Sequence, residues 1–131
     1  MVSRKPSIPD DLVYQLKITL CPRDIRPPIW RRILVPASAT LNSLHRAIQI
    51  SFGWFDCHLH LFECGEMEYS HPEAEIEGAR DDRRVRIEQV LKRPGAKMRY
   101  EYDFGDGWNH DVELEKFLPR EPETFYPVCV A

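Results

Sequence analysis

His58 and His60 stand two apart in the stretch HLHLFEC, a spacing that puts both imidazoles on one side of an extended chain. Downstream, YEYDFGDGWNH at residues 100–110 carries Glu101, Asp103, Asp106 and His110, with Asp111 next in line. Imidazoles and carboxylates are the ligands of hydrolytic metal centres, so His58, His60, Asp103 and His110 make a possible divalent-metal set. The wider group of His58, His60, Glu101, Asp103, Asp106, His110 and Asp111 is the candidate ligand-binding cluster. A structural expectation competes with it, because His60 shares its strand face with Phe62, and His110 shares its face with Trp108 and Val112. Such histidines are more often buried and hydrogen-bonded than ligating. Cys57 neighbours His58, but adjacent residues of a strand point to opposite faces and no orienting third group is identifiable. No catalytic residue is assigned.

A second possible chemistry is phosphate binding. Arg23, Arg26, Arg31 and Arg32 flank Trp30, and arginine interleaved with aromatic residues can hold phosphate and stack on bases. Arg26, Trp30, Arg31 and Arg32 are the candidate nucleic-acid contacts. Against this stands a net charge of −3, which disfavours generic nucleic-acid affinity and favours arginines that pair with carboxylates. Acidic residues gather at 63–77 and basic ones at 80–99, which reads as two solvated surfaces that partly neutralise each other.

The 131 residues, 43% hydrophobic and 30% charged, fit one soluble domain spanning 1–131. The N-terminal MVSRKPSIPDD lacks the apolar core of a secretory signal, so a cytoplasmic location is the expectation. Four cysteines without a CxxC pair read as free thiols.

The elements that must position these side chains follow from periodicity. LVYQLKITL at 12–20 alternates as a half-buried strand, and IWRRILV at 29–35 forms a second with neither face cleanly polar. Thr40 stands as an N-cap before Leu41, Leu44, Ala47, Ile48 and Phe52, and Gly53 closes the helix over about 40–52. HLHLFEC at 58–64 is a strand with MEYS as a short partner. Residues 71–84 read as a mobile loop, and a short helix near 86–92 buries Ile87, Val90 and Leu91.

The register of the last hairpin is decided by keeping apolar residues together. A three-residue loop, Gly105-Asp106-Gly107, pairs Phe104 with Trp108, Tyr102 with His110, Tyr100 with Val112 and Met98 with Leu114. It also sets Glu101 opposite Asp111, a like-charge pair that hints at a cation or basic partner.

With these blocks laid out, the chain resembles the plasmid pRiA4b ORF-3-like family, similar to the passenger protein of the IS1096 mobile element. The resemblance is carried by YQLKITL at 14–20, RPPIWRRILVP at 26–36, TLNSLHRAIQISFGW at 40–54, HLHLF at 58–62, YEYDFGDGWNH at 100–110 and YPVCVA at 126–131. It implies an α+β fold, no settled activity, an association with plasmid or mobile-element genes, and a further segment after the last block with another cysteine and a Pro-Glu-Asp motif. The expected architecture is an antiparallel or mixed sheet of about five or six strands against one main helix (about 40–52) and one short helix (about 86–92). The expected function is a non-catalytic binding or adaptor domain with a protein partner, no membrane and no cofactor. The alternatives are a metal-dependent hydrolase using the strand histidines and the hairpin acids, and a nucleic-acid-binding accessory protein.

Overall fold

In the computed structural model, which describes residues 12–21 and 26–131, the alternating stretch at the start becomes strand β1, Leu12–Leu20. It is followed by β2 (Trp30–Pro36), helix α1 (Leu41–Phe52), β3 (His60–Cys64) and β4 (Met67–Ser70). A 3-10 turn at Pro72–Ala74 leads to β5 (Arg80–Asp81), then α2 (Ile87–Val90), β6 (Lys97–Tyr102), β7 (Trp108–Pro119) and β8 (Val128–Cys129). Arg23 lies outside the described residues.

The strands form one sheet in the order β5-β4-β3-β6-β7-β1-β2-β8. All neighbours are antiparallel except β4 and β5. The fold is therefore α+β with a mixed sheet, but of eight strands rather than five or six. The two added strands, β5 and β8, are two residues each, too short for alternation to reveal them. Among the described residues no helix is long and apolar enough to cross a membrane.

One sheet face is the core. Rows of side chains cross it from strand to strand, such as Leu20, His110, Tyr100, Phe62 and Tyr69 in register over β1, β7, β6, β3 and β4. Helix α1 covers this face with Leu41, Leu44, Ala47 and Ile48, and Ile87 and Leu91 at α2 complete the cluster. Thr40 caps α1 by accepting from the Ser43 N–H, and Gly53 ends it at φ 72°, as the sequence pattern predicts. The short helix is a single turn, with Leu91 fixed by its carbonyl accepting from the buried Tyr14 hydroxyl at 2.8 Å.

The opposite face is polar and holds a β-bulge. Gln15 pairs with Lys116 and Leu16 with Leu114, so Glu115 is the extra residue and is turned outward. It accepts two bonds from the Arg32 guanidinium, at 2.7 and 3.0 Å. Arg32 and Lys17 both lie over the Trp30 ring, each 5.0 Å from its centroid.

The hairpin register differs from the expected one by two residues. Tyr102 pairs with Trp108, Tyr100 with His110 and Met98 with Val112, so the loop is five residues, 103–107. A slip of two keeps every apolar residue on the core face, which is why patterning did not distinguish the two registers. The longer loop is closed by Asp103, at φ 60°, whose carbonyl accepts from the Gly107 N–H at 2.6 Å. Asp103 also donates its own N–H to the Leu59 carbonyl, tying the loop to the approach to β3. On the outer face Arg99 now opposes Asp111, Lys97 opposes Glu113, and Glu101 opposes Asn109. The like-charge pair does not exist, and the hint of a cation there goes with it.

Residues 71–84 are not a featureless loop. They contain the 3-10 turn and β5, and they deliver Asp82, which is fully buried.

Candidate functional site

Helix α1 buries three polar residues, Asn42, His45 and Gln49, beside its apolar stripe. His45 accepts through Nδ1 from the Tyr100 hydroxyl and donates through Nε2 to Asp56 Oδ1, both at 2.7 Å. Tyr100 in turn accepts from Gln49 Nε2 at 2.8 Å, and the Asp56 N–H donates to Gln49 Oε1 at 2.9 Å. The four residues close a ring of hydrogen bonds in which each bond dictates the direction of the next. Burial, with the neighbouring His60 ring, pushes the His45 imidazole down to about 4, against the pull of Asp56. A neutral His45 is the form the ring requires. Burial also raises the Tyr100 phenol far above its ordinary range, so it stays protonated and donates. Asp56 reaches its place through a left-handed backbone, φ 51°, a conformation that Asp tolerates better than most residues.

His60 stacks on His45, ring centroids 3.6 Å apart and 13° from parallel. Its Nε2 lies 2.6 Å from Asp82 Oδ2, and Asn42 Nδ2 donates to Asp82 Oδ1 at 3.2 Å. Asp82 is locked by its backbone as well, donating to the Ser70 carbonyl and accepting from the Asn42 N–H. With the carboxylate accepting, a neutral His60 carries its proton on Nε2 and keeps its lone pair on Nδ1. Nδ1 has no hydrogen-bond partner among the described residues, and it is not one of the buried polar atoms left without a partner. It therefore opens on the adjoining cleft. A histidine held through one nitrogen by a buried carboxylate is oriented to use the other.

The cleft has a volume of about 430 Å³ and is lined by His45, Arg46, Asp56, His58, His60 and Glu73 among others. Of the histidines expected to act together, His58 and His60 do share this cleft. His58 is half exposed with Nε2 3.6 Å from Asp103 Oδ2. His110 is elsewhere: it is fully buried, its Nδ1 donates to the Tyr100 carbonyl at 3.2 Å, and burial lowers its pKa. It sits in an aromatic cluster with Phe52, Trp54 and Tyr100, and Trp54 packs on Trp108 at 5.6 Å between centroids. His58 and His60 thus meet one cleft from different carboxylate partners, Asp103 and Asp82, while His110 lies apart under α1. Among the described residues no three His, Cys, Asp or Glu side chains are arranged to hold a metal ion.

The hairpin acids also disperse. Asp106 is exposed in the loop, Asp111 faces Arg99, and Glu101 is on the outer face, where partial burial and Glu63 raise its pKa against Arg99. The arginines split as well. Arg31 donates to the Ser51 carbonyl at 3.0 Å and lies over Phe52, while Arg32 is held by Glu115 on the other face and Arg26 is exposed ahead of β2.

The residues that sequence reasoning missed are Asn42, His45, Gln49, Asp56, Asp82 and Tyr100. One signal was present: Asn42, His45 and Gln49 recur at spacings of three and four, the period of a helix face.

Comparison with known proteins gives relatives of the same fold. The chain is 37% identical over 109 residues to uncharacterized protein y4hQ of Sinorhizobium fredii (strain NBRC 101917 / NGR234), covering 82% of this chain and 55% of that protein. The chain thus spans about half the length of this curated relative. It superimposes with a TM-score of 0.80, at 35% identity, on the crystal structure of a protein of unknown function, MM3350, from Methanosarcina mazei Go1, covering 92% of this chain and 68% of that one. A family model described as plasmid pRiA4b ORF-3-like protein matches residues 12–131, and the chain belongs to that family.

Proposed function

We propose that the chain is a non-catalytic binding domain whose cleft beside β3 takes a polar ligand, with His60 Nδ1 accepting a hydrogen bond from it. The observation that carries this reading is the fixed state of His60. Its ring is almost fully buried, yet one nitrogen is tied to Asp82 while the other meets the cleft. Holding a carboxylate and an imidazole together in the interior costs desolvation, and His60 differs from its neighbour His45, whose two nitrogens are both bonded inside the protein. Preorganised acceptors of this kind give a cleft its orientation and specificity. The relatives extend beyond the shared part, in keeping with an adaptor domain carried in longer proteins.

The test is an imidazole-detected nitrogen NMR spectrum of the whole chain, recorded against a panel of small amides, alcohols, amines, carboxylates and phosphate. Ligands that enter the cleft shift the His60 Nδ1 resonance and leave His110 unmoved. If no probe in the panel moves His60, the reading falls.

A further inference from the structure

The groups that meet the cleft differ in kind. The acceptors are His60 Nδ1, the Asp56 oxygen not used by His45, and the Glu73 carboxylate. His58 also lines the cleft, its Nε2 3.6 Å from Asp103 Oδ2, and a donor set stands beside the acceptors. His71 accepts the Glu73 N–H through Nδ1 at 3.1 Å, which puts its proton on Nε2, and Arg46 is an exposed guanidinium on α1. Charge leans acidic: Asp56 and Glu73 line the cleft and Asp82 lies directly behind His60, with Arg46 the guanidinium among the lining residues. Arg83, which feels the field of Glu73, is already held by both oxygens of Asp81 at 3.0 and 2.9 Å.

We infer that the ligand of this cleft carries a cationic N–H group, an alkylammonium or a guanidinium, whose protons are accepted by His60 Nδ1, Asp56 and Glu73. The inference rests on the binding reading above and names the ligand class. His60 is the observation independent of the acids. Its side chain is 6% exposed and its lone pair has no partner among the described residues, so a ligand able to complete it must bring a donor. A carboxylate would bring only acceptors to that nitrogen, and any anion would meet two carboxylates. A cation brings donors and is attracted by the same charges.

The same chemistry has two sources, a free small amine or a basic side chain of a peptide, and the experiment separates them. The whole chain is titrated with butylamine and methylguanidine, with butyrate and inorganic phosphate, and with an acetylated, amidated Gly-Lys-Gly peptide, each followed at the His60 nitrogen. Both cations shift His60 and the two anions do not. Glu73→Gln, at an exposed position, weakens cation binding by about tenfold, the loss of one charged hydrogen bond, whereas Arg46→Ala leaves it equal or tighter. Binding of the peptide with an affinity at least equal to butylamine assigns the site to protein side chains, and binding of butylamine alone assigns it to free amines. Preference for butyrate or phosphate, or cation binding indifferent to Glu73→Gln, overturns the ligand class while leaving the cleft a binding site. Silence of His60 toward every probe overturns both.

Discussion

Two imidazoles in van der Waals contact have been given different duties by their partners. His45, with both nitrogens bonded, holds the ring of Gln49, Tyr100 and Asp56, and His60, with one nitrogen bonded, faces outward to the cleft. The first duty has a pH signature. Native His45 takes up a proton only near about 4, below the ordinary 6.5, so between these values the unfolded chain binds more protons than the native one. Stability therefore falls as pH is lowered through that window, by roughly 3 kcal/mol for His45 when the window is crossed. His110, lowered in the same direction by burial, adds to the loss. Urea denaturation at pH 7 and pH 4.5 checks this, and equal midpoints would refute it. The second duty depends on Asp82. In Asp82→Asn one acceptor oxygen replaces two; where it stays with Asn42, the N–H₂ faces His60 Nε2, which accepts by moving its proton to Nδ1. The expected cost is about 1–3 kcal/mol, and the His60 nitrogen shifts should exchange places in the NMR spectrum.

The residue scale was also the least legible in the sequence. His60 was identified as a candidate, but Asp82 stands in GARDDRR, where no apolar periodicity announces a buried position. Asp56 depends on a left-handed turn after Gly53, and Tyr100 read only as one aromatic in an alternating strand. Each is brought to its place by pairings that periodicity does not encode, Asp82 with the sequence-distant Asn42 and Asp56 with Gln49 back across a helix end.

At the scale of elements, α1 and the β6–β7 hairpin do most of the positioning. The helix was readable end to end because its cap, its stripe and its stop each have a local cause. Thr40→Ala removes the bond from the Ser43 N–H, 3.1 Å, and is expected to cost about 1 kcal/mol, with a matching drop in thermal midpoint. The hairpin was readable in its strands and its sidedness but not in its register, since two registers satisfy the same alternation and the choice rests on backbone bonds at Asp103. Gly107, at φ 69° with open space around its missing Cβ, pays no steric penalty there. Gly107→Ala is expected to destabilise by roughly 1 kcal/mol through backbone strain alone, which calorimetry can read, with no change in the sheet's circular dichroism.

At the scale of the molecule, the sheet is graded from centre to edge. Strands β1 and β7 pair along almost their whole length and each has a second neighbour, while β5 and β8 are two-residue edges. Amide hydrogen exchange is expected to be slowest at Leu16, Ile18, Val112 and Leu114, which open only with the whole domain, and fastest at Arg80 and Cys129. Uniform protection across all strands would contradict this order. The tryptophans are distributed over the same architecture. Trp30 lies on the open face between Lys17 and Arg32, whereas Trp54 and Trp108 lie together on the core face, Trp54 two residues ahead of Asp56. The chain thus carries separate optical reporters for its two sides: replacing Trp30 with Phe leaves an emission spectrum that reads the loop bearing Asp56, and the difference from the native spectrum reads the open face.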